Sequence, residues 1–256
     1  MITSAQNPKL KLVRSLMGRS RQRQEEQAFV AEGVRLVEEA LLANWPFRFV
    51  LVGETLSRRG RELAARLVSN AIDVEPVSDA LLNSFSETET SQGLLAVLGY
   101  SLLSIPHSLN FALIPDSIRD PGNLGTLLRT AAAAAVQVVF LPPETTDAFA
   151  PKVVRAGMGA HFRLPIQSLG WDEIRAVTQS LKVYLADMAG RACWETDFRL
   201  PMALILGSEA EGATQPARRL ADSAVSIPMP GKTESLNAAV AGAILMFEVT
   251  RQRQVR

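Results

Sequence analysis

The chain alternates short apolar runs with helix-period segments twice over, and that rhythm limits its fold more than any other feature. In the first half, the runs at 28–31, 48–52, 72–77 and 94–98 read as strands. Helical periodicity fills 33–44 (Val34, Val37, Leu41) and 61–68, and Ser78 is placed to N-cap a further helix through Leu82. In the second half, strands are expected at 111–115, 136–141, 182–186 and 202–206, and helices at 122–135, 147–156, 172–180 and 236–251. Alternation of this kind favours layered α/β domains. Residues 99–109 have no clear period and separate the two sets. A chain of 256 residues then divides into 1–100 and 108–256, each long enough to bury a core.

The formal net charge is +1, from 27 basic and 26 acidic side chains. That total announces no nucleic acid, but it averages an uneven distribution. Residues 1–24 carry Lys9, Lys11, Arg14, Arg19, Arg21 and Arg23 and no acidic residue. Leu10, Val13, Leu16 and Met17 share one helical face there, so the basic side chains form either a solvated face or a phosphate-binding one. Cys193 is the only cysteine, which excludes an intrachain disulfide. With one cysteine and two histidines, His107 and His161, no metal site is expected. The longest apolar run, 238–247, falls short of the ~20 residues that span a bilayer. No apolar segment follows the basic N-terminus at signal-peptide distance. A soluble cytoplasmic protein is the expectation.

Three polar loops sit at expected strand ends in the second half. Asp116-Ser-Ile-Arg-Asp-Pro-Gly-Asn-Leu-Gly125 runs into a helix carrying Arg129 and Thr130. Pro121 suits a first helical turn, and the loop suits an anion or cofactor at a helix N-terminus. It matches neither the dinucleotide nor the P-loop glycine pattern. Leu206-Gly-Ser-Glu-Ala-Glu-Gly212 follows the strand at 202–206, where open α/β sheets bind ligands; a plain surface turn also fits it. Ile227-Pro-Met-Pro-Gly-Lys-Thr-Glu-Ser-Leu-Asn237 leads into the last helix. Ser235 or Thr233 can cap that helix. Asn237 is a poor helix former in a first turn, and its amide can instead bind a ligand.

Together these loops resemble the SpoU/TrmH-type RNA ribose 2′-O-methyltransferases of the SPOUT superfamily. Asp120-Pro-Gly-Asn-Leu-Gly with Arg129-Thr-Ala is similar to that family's first motif. Gly207-Ser-Glu-x-x-Gly is similar to the second, and Ile227-Pro-Met with Ser235-Leu-Asn to the third. The N-terminal half resembles the family's accessory, ribosomal-protein-like substrate-binding domain, through Asn7-Pro8-Lys9, Phe29-Val-Ala-Glu-Gly33 and Ser91-Gln-Gly93. Two positions depart from the pattern: Gly157 stands where a serine is common, and Ala238 where a valine is common.

The resemblance implies an α/β chain whose C-terminal domain has a parallel sheet and a deep trefoil knot, with a smaller N-terminal α/β domain for RNA. It implies S-adenosylmethionine as methyl donor and a ribose 2′-hydroxyl as acceptor. The accessory domain favours ribosomal over transfer RNA. The reading from another class, a catalytically silent RNA-binding or ribosome-assembly factor, has the three intact motifs against it. Carried over position by position, cofactor contacts fall on Leu206, Gly207, Ile227, Met229, Leu236, Asn237 and Ala239. Arg129 falls where the family deprotonates the hydroxyl or stabilises its alkoxide. A guanidinium holds its proton tightly, so both roles stay open. Asn123 orients Arg129 or the ribose, Glu209 holds the motif loops and substrate site, and Ser235 and Asn237 bind cofactor or substrate. The six basic residues of 1–24, with Arg155 and Arg163, are the phosphate contacts. The resemblance also implies a homodimer through the C-terminal domain. The last helix's apolar face (Leu236, Val240, Ala243, Phe247) serves either that interface or the core.

Overall fold

The computed structural model describes residues 1–85, 92–208, 211–231 and 235–254. The chain divides into two compact units, one of residues 1–102 with 149–162, the other of 103–148 with 163–256.

In the first unit, α1 (Pro8–Gly18) begins at Asn7, whose Oδ1 accepts from the Lys9 N–H at 2.9 Å, with Pro8 in the first turn. Leu10, Val13 and Leu16 are buried on the expected face and share a core with Val30, Phe49, Leu51 and Val97. The basic stretch is not one helix. Arg19 adopts an extended backbone after Gly18, and α2 (Ser20–Glu26) starts afresh. Next come β1 (Ala28–Glu32), α3 (Val34–Leu42), β2 (Phe47–Val52), α4 (Arg58–Ser69), β3 (Val74–Pro76), α5 (Asp79–Asn83) and β4 (Leu94–Gly99). The strands form a mixed sheet in the order β1-β4-β2-β3, antiparallel around β4 and parallel between β2 and β3. Ser78 stands before α5 but its hydroxyl caps nothing. The next residue, Asp79, instead accepts from the Glu54 N–H at 2.7 Å.

In the second unit, β5 (Phe111–Pro115), α6 (Pro121–Ala133) and β6 (Val138–Leu141) come first. The following helix, α7 (Pro151–Gly157), belongs to the first unit and packs on β1. It starts at Pro151, later than expected, because proline suits a first helical position. Then β7 (Ile166–Ser168), α8 (Trp171–Val177), β8 (Lys182–Ala192), β9 (Met202–Leu206), α9 (Gln215–Leu220), β10 (Ser223–Ser226) and α10 (Ala238–Gln254) complete the unit. Six strands in the order β10-β8-β9-β5-β6-β7 pair in parallel throughout. β5 and β9 are apolar and buried along their whole length, as parallel strands covered on both faces are. β7, β10 and α9 are additions to the sequence reading. Each is too short and too polar to carry a period.

The last helix starts two residues later than expected. Asn237 Oδ1 accepts from the Ala239 and Val240 N–H groups at 3.0 and 3.2 Å, so Asn237, not Ser235, caps α10. Thr233, the other expected cap, lies outside the described residues. α10 packs on α6. A Cβ on Gly242 would stand 2.4 Å from Leu127 Cδ2 and 2.6 Å from Leu206 Cδ1, so this approach needs a glycine. The face of α10 that carries Val240 and Phe247 is not core: they are 48% and 49% exposed, while Gly242, Leu245, Met246 and Val249 are buried.

Candidate active site

The carboxyl ends of β5 and β9 lie side by side, with Pro115 opposite Leu206. The loops that begin at Asp116 and Gly207 therefore leave one edge of the sheet together, where α/β sheets bind ligands. β10 is parallel to them and releases the third loop at the same edge. Asp116 fastens the first loop to the second. It is fully buried, and its carboxylate accepts from the Thr214 N–H at 2.7 Å and the Thr214 hydroxyl at 3.2 Å. Asn123 joins the first loop's helix to the third loop, its Oδ1 accepting from Asn237 Nδ2 at 3.0 Å. Asp120 caps α6 by accepting from the Asn123 N–H at 2.7 Å. Asp116 was quoted in the sequence but given no role, because its partner lies 98 residues away.

The second and third loops, β8 and α10 line a cavity of about 300 Å³. Leu206, Gly207, Ile227, Met229, Ser235 and Leu236, the residues on which cofactor or substrate contacts were expected, all line it. Residues 227–231 belong to no helix or strand. Among the described residues, no backbone–backbone hydrogen bond engages Ile227, Met229 or Leu236. Their peptide groups are open to a ligand that has donors and acceptors of its own. Ala186, Asp187 and Met188 complete the wall, a contribution no motif announced. They reach it because the ladder jumps: Ala224 pairs with Leu185, but Val225 pairs with Arg191. The Ala189 N–H and the Arg218 guanidinium, 2.9 Å away, hold the Asp187 carboxyl below the usual range.

A second cavity of about 160 Å³ shares Ser208 and Ala238 with the first. Ser117, Arg119, Asp120, Asn123 and Glu211 also line it. Three expected site residues stand elsewhere. Ala239 lines neither cavity, since its N–H is spent on Asn237. Asn237 lines neither and acts as cap and tie. Arg129 is exposed on α6 and lines neither. Among the described residues nothing pairs with its guanidinium. Glu209 lies outside the described residues.

The basic segment is also sorted by the fold. Lys11, Arg14, Arg19 and Arg21 are exposed. Lys9 bridges Asp73 and Glu75 at 2.5 Å each. Arg23 is a correction: it is buried and donates to the Leu16 carbonyl at 2.6 Å, which leaves it no surface for a phosphate. Arg155 lies on α7 and borders a small cavity with Gly33 and Gln92, and Arg163 is exposed. Among the described residues, no cluster of His, Cys, Asp or Glu could hold a metal. No described helix is long and apolar enough to cross a membrane.

A parallel α/β unit with sheet-edge loops around a pocket of this size is where folds of this class bind small ligands. The comparisons narrow the class. The SpoU rRNA methylase family matches residues 110–247, and an MRM3-like substrate binding domain matches residues 7–96. The 23S rRNA (guanosine(2553)-2′-O)-methyltransferase RlmP of Bacillus subtilis is 34% identical, over 97% of this chain and 98% of its own. The structure of the SpoU methyltransferase AviRb from Streptomyces viridochromogenes, in complex with AdoMet, aligns with a TM-score of 0.83 and 28% identity, covering 96% of this chain and 99% of that one. An AdoMet-bound rRNA methyltransferase from Sinorhizobium meliloti aligns with a TM-score of 0.85 and 29% identity, covering 98% and 97%. This chain belongs to the SpoU rRNA methylase family and is a methyltransferase.

Proposed function

We propose that the protein transfers a methyl group from S-adenosylmethionine to a ribose 2′-hydroxyl of ribosomal RNA. The observation that carries this reading is the cavity lined by the second and third motif loops, walled by open peptide groups at Ile227, Met229 and Leu236. The two AdoMet-bound relatives match the chain along nearly its whole length, and the RlmP relative is named for 23S rRNA. The residues fit the cofactor. Leu206, Ile227, Met229 and Leu236 offer apolar surface to a purine, the peptide groups offer partners to its edge, and Ser208, Ser226 and Ser235 offer hydroxyls. When bound, S-adenosylmethionine supplies an electrophilic methyl group.

The chain's own work is to seat and activate the acceptor. The second cavity, beside Asn123 and Ser208, receives the ribose, and Glu209 supports that site. Arg129 stabilises charge developing on the ribose oxygen. It lines neither cavity of its own chain, so it serves the site of a second copy. The half-exposed Val240 and Phe247 on α10, which packs on the helix carrying Arg129, support a homodimer through residues 108–256. A deep trefoil knot accounts for how the loop from the edge strand β10 reaches Asn123 on the far side of β8 and β9. Residues 1–100 bind RNA, with Lys11, Arg14, Arg19 and Arg21 on phosphates, and the protein works in the cytoplasm.

Two measurements test the reading together: calorimetry with S-adenosylmethionine, and ribose-methylation maps of RNA from cells with and without the gene. The expected result is cofactor binding and one 2′-O-methyl group lost from ribosomal RNA. No binding at millimolar cofactor ends the enzyme reading. A methyl group lost only from transfer RNA moves the substrate.

A further inference from the structure

Arg119 is the only cation among the described residues that line the second cavity. Its surroundings are acidic. Asp120 and Glu211 share the wall, and Glu144 Oε2 stands 3.5 Å from the Arg119 Nη2. Glu211 Oε2 is 3.6 Å from the same nitrogen. Both separations exceed hydrogen-bond length. The three side chains are 63%, 69% and 68% exposed. Exposed ion pairs of this kind hold weakly and are screened by salt, so Arg119 loses little on leaving them. A phosphate offers the guanidinium fork two oxygens at once, which is a shorter and stronger contact. The end of α6 is no rival for that phosphate, because Asp120 already accepts from the Asn123 N–H there.

We infer that Arg119 grips the phosphate next to the ribose that enters the second cavity, and that RNA displaces Glu144 and Glu211 to reach it. The inference rests on the proposed ribose methylation and adds a contact that none of the three motifs assigns. The carboxylates give the contact a second use. They repel a polyanion on either side of Arg119, which disfavours registers that set a phosphate against them.

The test uses the full chain and unmodified 23S rRNA transcribed in vitro. Arg119→Ala, Arg119→Lys and the double variant Glu144→Gln/Glu211→Gln are compared with wild type. Arg119→Ala raises the KM for RNA about tenfold or more, keeps kcat within about threefold, and lowers the salt slope of RNA binding by about 1. Calorimetric affinity for S-adenosylmethionine stays the same. Arg119→Lys recovers part of the KM, since it keeps the charge but not the fork. The double variant lowers the KM, because the arginine no longer has internal partners to leave. An unchanged KM and salt slope in Arg119→Ala overturns the inference. So does a raised KM accompanied by lost cofactor affinity, which marks a collapsed loop. If wild type binds RNA yet transfers no methyl group, the methyltransferase reading fails, and the salt slope still decides Arg119.

Discussion

Substituting Gly207 by alanine asks directly how the cofactor cavity is built. A Cβ at this position would stand 2.5 Å from the Gly212 carbonyl carbon, 2.6 Å from the Ala213 nitrogen and 2.7 Å from the Gly212 oxygen. All three are backbone atoms, so no side chain can swing aside. Carbon–carbon contacts are optimal at ~3.5–4.0 Å, and residues 212–213 must therefore retreat by roughly 1 Å. That movement breaks a reciprocal pair of hydrogen bonds, Ser208 N–H to Gly212 O and Gly212 N–H to Ser208 O, both 3.0 Å. At about 1 kcal/mol net for each bond, holding the loop closed around a ligand costs about 2 kcal/mol more, or roughly 30-fold in affinity. Gly231→Ala is the matched control, since a Cβ there meets nothing within 4 Å among the described residues. Calorimetry reads the affinity for S-adenosylmethionine, and a thermal melt reports whether the fold persists. A Gly207→Ala protein that binds the cofactor within a factor of about three of wild type would refute the claim that this close approach shapes the cavity.

Five further outcomes are expected. Asp116→Ala removes both acceptors of the Thr214 N–H and hydroxyl, leaving buried donors unpaired. That costs about 1–3 kcal/mol and lowers the melting temperature by roughly 3–10 °C, so an unchanged melt counts against the tie. Glu248 is held below the usual carboxyl range by the Arg251 guanidinium and the Gln252 amide. A depressed folded pKa stabilises above the unfolded value and stops doing so as pH falls through the folded one. The melting temperature therefore drops on acidification below about pH 4.3, and Glu248→Gln flattens that limb. Replacing Lys11, Arg14, Arg19 and Arg21 by glutamine reduces the salt slope of RNA binding by about 3 without touching cofactor affinity. Arg23→Gln instead lowers thermal stability, because Arg23 is buried on the Leu16 carbonyl. Val240→Glu/Phe247→Glu gives a folded, inactive monomer by light scattering and circular dichroism; a variant that stays dimeric rules out this face of α10.

What could be read from the sequence follows from how each residue's neighbours are arranged. β5 and β9 were legible because a strand buried on both faces is apolar at every position. β10, Ser223–Ser226, was not, since four small residues at a sheet edge carry no pattern. Leu206, Gly207 and Ile227 reached the cavity as expected because strand ends deliver them there. Asp187 and Met188 were missed, since the register jump that exposes them belongs to the pairing of β8 with β10. Charge counting found the basic segment but could not tell Arg23, turned back onto Leu16, from its exposed neighbours. Asn237, read as a poor first-turn residue with its amide left for a ligand, stands before the helix as its cap. Its partner on α6 lies 114 residues away, beyond any local rule.

That one contact couples the two halves of the proposed chemistry. Asn123 lines the cavity assigned to the ribose, and Asn237 follows directly on Ser235 and Leu236, which line the cavity assigned to the cofactor. The bond at 3.0 Å between them uses the Asn237 nitrogen, while its oxygen caps α10. Both ends of the amide are committed, so the third loop cannot shift without either uncapping the helix or releasing Asn123. Asp116 imposes the same condition on the first and second loops through Thr214. Methyl transfer needs acceptor and donor held in one geometry, and displacements near 1 Å already cost about two orders of magnitude in rate. The peptide groups that face the first cavity sit on irregular loops, which have little rigidity by themselves. Two polar ties brace them, Asn123 to Asn237 and Asp116 to Thr214.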